Sequence, residues 1–176
     1  MMIEDLEDSF RSILFPQVSE LTEMVVDNNN GPQPNLPYAG FRILALNHVG
    51  RVQREFIDEF GDRKFYQHFS IPIRLRVYGP NATSLMTKFS MALNKESITY
   101  QMAQANIAFS TRSAVRKLPE LMNASWQERA EMIVTVHSMA TDSEAIGWIE
   151  TIKGTVNVES ETGRTYSEDF TVDLNG

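Results

Sequence analysis

Residues 64–79 constrain the fold more than any other stretch. Phe65, Phe69, Ile71, Ile73, Leu75 and Val77 alternate with Tyr66, His68, Ser70, Pro72, Arg74, Arg76 and Tyr78. A sustained period of two is the pattern of a β-strand with one buried face and one wet face. Pro72 has no N–H to give a ladder, so it marks an edge or a bulge. Arg74 and Arg76 share the wet face, directed toward solvent or a partner.

Other segments supply neighbours for this strand. Residues 40–48 are apolar with few charges, which suits a central strand. Ile107 to Ser110 reads as a short strand, and Met132, Val134 and Val136 alternate through another. Residues 149–158 and 166–174 form a hairpin around Ser160-Glu161-Thr162-Gly163, with Ile152, Val156 and Val158 on one face and Phe170, Val172 and Leu174 as their counterpart. Its many acids and sparse apolar residues suit an arm that packs on a neighbour. Residues 118–121 read as extended, and Thr141 to Ala145 as a polar turn. Residues 49–62 fit either a short helix on Val52, Phe56 and Phe60 or a long strand connection closed by Gly61-Asp62.

Two helices are expected. Residues 3–26 carry Ile3, Leu6, Phe10, Ile13 and Leu14 at helical spacing, with acids in the first turn, where the helix dipole favours them. Pro16 breaks or restarts that helix, and Val18, Leu21, Thr22 and Val25 continue its stripe. A second helix follows the Gly79-Pro80-Asn81 turn, capped by Asn81 or Thr83, with Leu85, Phe89 and Leu93 in line. It fades past Asn94. Helices and strands that do not alternate as βαβ units indicate an α+β fold. The expected form is a mostly antiparallel sheet flanked by the N-terminal helix and the second helix, with a C-terminal β-hairpin. Residues 1–145 form the domain, and residues 146–176 extend it as the hairpin.

Between the first helix and the first strand runs Asp27-Asn28-Asn29-Asn30-Gly31-Pro32-Gln33-Pro34-Asn35-Leu36-Pro37-Tyr38. Three prolines fix φ and push each preceding residue into extended geometry. The result is a stiff lead-in that ends on Pro37-Tyr38.

Charge is unevenly spread. Residues 1–60 carry a net −6, residues 61–118 a net +7, and residues 119–176 a net −8. A basic middle between acidic ends suggests self-complementary surfaces within or between copies, and the overall −7 disfavours a duplex-DNA binder. The absence of cysteine excludes disulfides and thiolate metal sites. No apolar run is long enough to span a membrane, and the first residues lack the basic start of a secretory signal.

Chemistry-bearing motifs do not emerge. His48, His68 and His137 have no zinc-type spacing, and neither a nucleophile elbow nor a phosphate loop is present. Asp58-Glu59 and Glu168-Asp169 read as solvated charge. No catalytic, cofactor or metal residue is therefore expected. The interface candidates are Pro34, Pro37, Tyr38, Arg74, Arg76, Arg112, Arg116 and Lys117. Tyr66, Arg74, Arg76 and Tyr78 could also stack and screen single-stranded nucleic acid. The acidic total favours a protein interface.

The order of these features resembles the phage neck or tail-terminator (tail-completion) proteins. Asp27 to Tyr38, Phe69 to Asn81 with Leu85 and Leu93, and Trp126-Gln127-Glu128-Arg129-Ala130 carry the resemblance across most of residues 20–140. Arg74, Arg76 and the acidic hairpin are less typical. The resemblance implies a structural virion protein of the tail–neck region, assembled in the host bacterial cytoplasm, with no catalysis and no cofactor. Its subunits would close into a homo-oligomeric ring, a hexamer, on the end of the tail tube. The ring would stop tube polymerisation and present the head–tail joining surface. Implied partners are other copies, the tail tube protein and a head connector, completion protein or sheath. DNA would pass through the lumen without specific binding, and no membrane is involved. The alternatives are a head-completion or neck adaptor protein, or a small nucleic-acid-binding module.

Overall fold

The computed structural model describes residues 3–27, 31–58, 61–122, 125–145, 151–159 and 165–173. Among them the fold is α+β, with three helices and a mostly antiparallel sheet.

Helix α1 (Ile3–Leu14) buries Leu6, Phe10, Ile13 and Leu14, a stripe on one helical face. Pro16 ends it in a single 3₁₀ turn, Phe15–Gln17. The helix does not restart. Val18 and Leu21 reach the core from extended chain, and the β-branched end of the segment becomes strand β1 (Met24–Val26). Strand β1 runs parallel to β2 (Tyr38–Ile43), with Met24 opposite Ala39.

The long alternating segment is β4 (Asp62–Tyr78), a strand of 17 residues. On one side it pairs with β2, from Tyr38↔Tyr78 to Ile43↔Ile73, and then with β3 (Asn47–Arg54). On its other side lies β9 (Arg129–Ala145). Pro72 is thus on an inner strand, not an edge. The Leu44 N–H donates to the Pro72 carbonyl at 2.9 Å, so the same register sets these two residues opposite. Pro72 has no N–H to return the bond. The partner strand stops there and resumes as β3, which divides the single strand expected at 40–48.

Strand β9 also has 17 residues and runs straight through the turn expected at 141–145. No Gly or Pro lies within it to end the ladder. Strand β5 (Ile107–Arg112) pairs with it antiparallel, with a bulge between Phe109 and Thr111, and β6 (Arg116–Lys117) pairs with Glu131 and Ala130. The sheet order is β1-β2-β4-β9-β5, with β3 on β4 and β6 on β9. Strands β7 (Glu120–Met122) and β8 (Ser125–Gln127) form a separate two-stranded pair.

Helix α2 (Ala82–Ala92) buries Leu85, Met86 and Phe89. Asn81 occupies its N-cap in a left-handed conformation, φ +60°, and its side chain makes no capping bond; Thr83 lies inside the helix. Helix α3 (Glu96–Gln104) stands where the chain was expected to lose order. Only Ile98 and Met102 are buried along it, too few to register as a stripe, yet they seat it against α1 and β5. One face of the sheet, including Phe41, Ile73, Leu75, Met132 and Val134, joins the buried helical side chains in a single core. The Phe10 and Phe41 rings lie 5.6 Å apart.

Residues 54–64 and 143–176 form a second compact unit. Within it, β10 (Thr151–Glu159) and β11 (Thr165–Asp173) pair antiparallel from Thr151↔Asp173 to Glu159↔Thr165. This is the expected hairpin; its turn at 160–163 and Leu174 lie outside the described residues. At 55–64, Glu55 N–H donates to Lys64 O at 3.0 Å and Asp58 N–H to Asp62 O at 2.8 Å, so a hairpin turn replaces the short helix considered for 49–62. Phe60 lies outside the described residues. Among the described residues no helix is long and apolar enough to cross a membrane.

Candidate interface surfaces

Tyr38, Arg74 and Arg76, three of the sequence candidates, lie on the sheet face turned away from the core. In β2 and β4, Tyr38 stands opposite Tyr78, Gly40 opposite Arg76, and Arg42 opposite Arg74. Period-two alternation puts all six on this face, because Ala39, Phe41, Leu75 and Val77 take the other. Asp27 leaves β1 with its N–H donating to Phe41 O at 2.7 Å, which brings its carboxylate over Gly40. There Arg76 Nη1 lies 3.4 Å from Asp27 Oδ2, and Arg76 Nε donates to Glu131 Oε2 at 2.9 Å. One guanidinium therefore bridges acids that lie far apart in sequence.

The ionic chemistry follows from burial. The Asp27 side chain is only 9% exposed. Desolvation pushes its carboxyl above the usual range, against the pull of Arg76, Arg74, Arg129 and Arg42. The loose contact to Arg76 agrees with that outcome. Burial weighs against the charge on Arg76 as well. Its hydrogen bond to Glu131, with contacts to Tyr78 and Asp27, nevertheless holds its proton more firmly than usual.

Aromatic packing closes the next layer. The Tyr38 and Tyr78 rings stack at 4.7 Å, and the Arg129 guanidinium lies 6.0 Å from the Tyr78 centroid. Arg129 Nη1 also pairs with Glu120 at 2.6 Å. Burial raises both tyrosine hydroxyls above their usual range. A groove of about 280 Å³ beside them is lined by Asp27, Pro32, Gln33, Pro34, Tyr38, Tyr78 and Glu120.

The proline-rich lead-in is pinned from below. Thr22 Oγ1 donates to Asn35 O at 2.5 Å, Thr22 N–H to Pro37 O at 2.9 Å, and Ala39 N–H to Glu23 O at 2.9 Å. The Leu36–Pro37 bond is cis. Gly79, at φ +108°, passes beneath it; a Cβ there would sit 3.1 Å from the Pro37 Cα.

Two further surfaces are exposed. All eight residues of β3 are exposed, among them Val49 and Val52, and Leu44 and Leu46 precede them. At the β7–β8 pair, Leu121 stands opposite Trp126, and the two are 58% and 72% exposed.

A comparison with known protein families matches phage neck terminator protein over residues 4–163. The chain belongs to that family. No curated protein matches it.

In this neck terminator protein the sequence candidates separate into two groups. Tyr38 is buried in its stack, and Arg76 is committed within the subunit. The free, stacking face considered for Tyr66, Arg74, Arg76 and Tyr78 is therefore not assembled, since Tyr78 already stacks on Tyr38 and pairs with Arg129. Pro34 and Pro37 are half-exposed on the lead-in. Arg112 donates to Asn94 Oδ1 at 2.9 Å and lies over Phe109. Lys117 reaches Glu128 at 3.4 Å, and Arg116 is exposed opposite Glu131. Arg74 is half-buried and forms no ion pair among the described residues, and its Nε has no acceptor.

Sequence reading missed Asp27, Gly40 and Glu131 as members of this cluster, and the outer side of β3, which pairs with no strand but β4 among the described residues. The alternation does put Arg76 and Glu131 on wet faces. Nothing in a single sequence says that their strands are neighbours. Among the described residues no three His, Cys, Asp or Glu side chains gather as metal ligands. His68 and His137 line an open, largely apolar cavity of about 420 Å³ with Phe109 and Met139.

Proposed function

We propose that this neck terminator protein closes into a ring, a hexamer, on the end of the phage tail tube. The ring stops tube polymerisation and offers the surface on which the head is joined. Residues 1–145 act as the body of one subunit, and residues 146–176 act as its extension toward a neighbour. The tube protein and a head connector, completion protein or sheath are its partners, and DNA passes the lumen without specific binding. Assembly takes place in the host cytoplasm and the product resides in the virion neck. No step of this role makes or breaks a covalent bond.

The outer side of β3 is the observation that carries the ring. Among the described residues no strand but β4 pairs with it, and Val49 and Val52 stand exposed along it. Such an edge recruits a strand from another chain. The exposed Leu121–Trp126 pair at β7–β8 offers a different patch. Contacts between unlike patches are heterologous, and they generate rings when the rotation closes.

Native mass spectrometry of the full chain, alone and with purified tubes, tests this reading. A closed oligomer that caps tubes and fixes their length is expected. A strict monomer that leaves tube growth unchanged overturns it. Binding to head connectors without binding tube ends would identify a head-completion protein instead.

A further inference from the structure

Arg42 and Arg74 stand directly opposite one another in the β2–β4 ladder. The Leu44-to-Pro72 hydrogen bond sets the phase of that ladder. Two residues on, Arg42 and Arg74 form a hydrogen-bonded pair, with Cα atoms about 5.5 Å apart. Like charges directly opposite repel. The nearest acids, Asp27 and Glu131, place their ion pairs on Arg76, and Asp27 reaches Arg74 and Arg42 only through its longer-range field. Among the described residues neither Arg42 nor Arg74 forms an ion pair. Arg42 is exposed, and Arg74 keeps a buried Nε with no acceptor. Two opposed guanidiniums without an ion pair of their own, one of them exposed, suit carboxylates from outside.

We propose that Arg42 and Arg74 dock the acidic C-terminal hairpin of a second copy of this chain. The deduction rests on the ring reading and names the contact that would hold neighbours together. Charge selects the occupant. Residues 143–176 carry seven acids and two bases, a net −5. Asp169, in the middle of β11, is exposed. The other acid-rich stretch, at the start of α1, belongs to a helix whose apolar stripe is locked into its own core.

The chain has no cysteine, which makes introduced thiols unambiguous. Full-length Arg42→Cys and Asp169→Cys variants carrying tags of different mass are mixed, assembled with tube ends and mildly oxidised. A disulfide-linked pair containing both tags is expected. Separately, Arg42→Glu with Arg74→Glu should weaken self-association by roughly tenfold or more. Adding Glu168→Lys and Asp169→Lys to the same chain should restore it.

Unchanged self-association in the Arg42→Glu, Arg74→Glu variant, without a mixed crosslink, overturns the docking and leaves the ring intact. In a chain carrying both Arg42→Cys and Asp169→Cys, a disulfide formed only within single chains assigns the arm to its own subunit and also overturns it. Failure of the unaltered protein to assemble overturns the ring reading itself. If the unaltered protein retains DNA at low salt and the double variant loses it while assembling normally, the site takes phosphate rather than carboxylate.

Discussion

The Asp27 carboxylate fills the space where a side chain on Gly40 would begin. A Cβ on Gly40 would lie 2.0 Å from Asp27 Oδ1. The glycine is required for this close approach over a pleated strand, not for an unusual backbone angle. Gly40→Ala must displace Asp27 from beside Arg76 and should destabilise the fold by about 2–3 kcal/mol. Urea denaturation at pH 7 measures it, and a loss below about 0.5 kcal/mol would contradict the packing described.

Arg76 and Asp27 should respond unequally to substitution. Arg76→Met removes the cation that bridges Glu131 and Asp27 and should cost about 2–3 kcal/mol, less than a fully buried pair because the side chains keep some exposure. Asp27→Asn removes a charge that burial disfavours and should cost under about 1 kcal/mol at pH 7. Equal losses would show that Asp27 contributes more to holding Arg76 than its 3.4 Å contact indicates.

The same carboxyl sets a pH dependence with a definite sign. Its folded-state pKa is raised above the ordinary 3.8 by burial. The folded chain therefore holds this proton to higher pH than the unfolded chain. Its stabilising effect is fully present below 3.8 and is lost as pH rises through the folded value. The stability of the unaltered protein minus that of the Asp27→Asn variant should therefore fall between acid and neutral pH. Denaturation midpoints of both proteins across that range measure the slope, and a rising difference would reverse the assignment.

Exposed and buried apolar residues should separate cleanly. Phe41→Ala removes a wholly buried ring packed against Phe10 and should cost about 3–5 kcal/mol. Val52→Lys, on the exposed strand β3, should change stability by less than about 0.5 kcal/mol while preventing closure of the proposed ring. Thermal melts with native mass spectrometry report both quantities. A Val52→Lys protein that still forms the full ring removes β3 from the proposed interface.

Local periodicity carried much of this fold and little of its cluster. Ile71 to Val77 and Met132 to Val136 read correctly as strands because burial on one face imposes the alternation directly. Helix α1 was legible for the same reason at helical spacing. Helix α3 was not, since Ile98 and Met102 alone seat it. The β2–β3 break depends on which strand faces Pro72, a long-range pairing with no local trace. The Asp27–Arg76–Glu131 bridge is of that kind too. Each residue was visible as a charge, but their meeting depends on sheet order.

Pro72 gives the molecule a seam. On one side of it, Ile73, Leu75 and Val77 are wholly buried and pair through β2; on the other, β4 pairs with the fully exposed β3. Substitutions in Asn47–Arg54 should therefore carry little risk to whether the chain folds. If β3 meets a neighbour as proposed, a lineage confronting an altered partner could rewrite that strand while its foundation stays untouched.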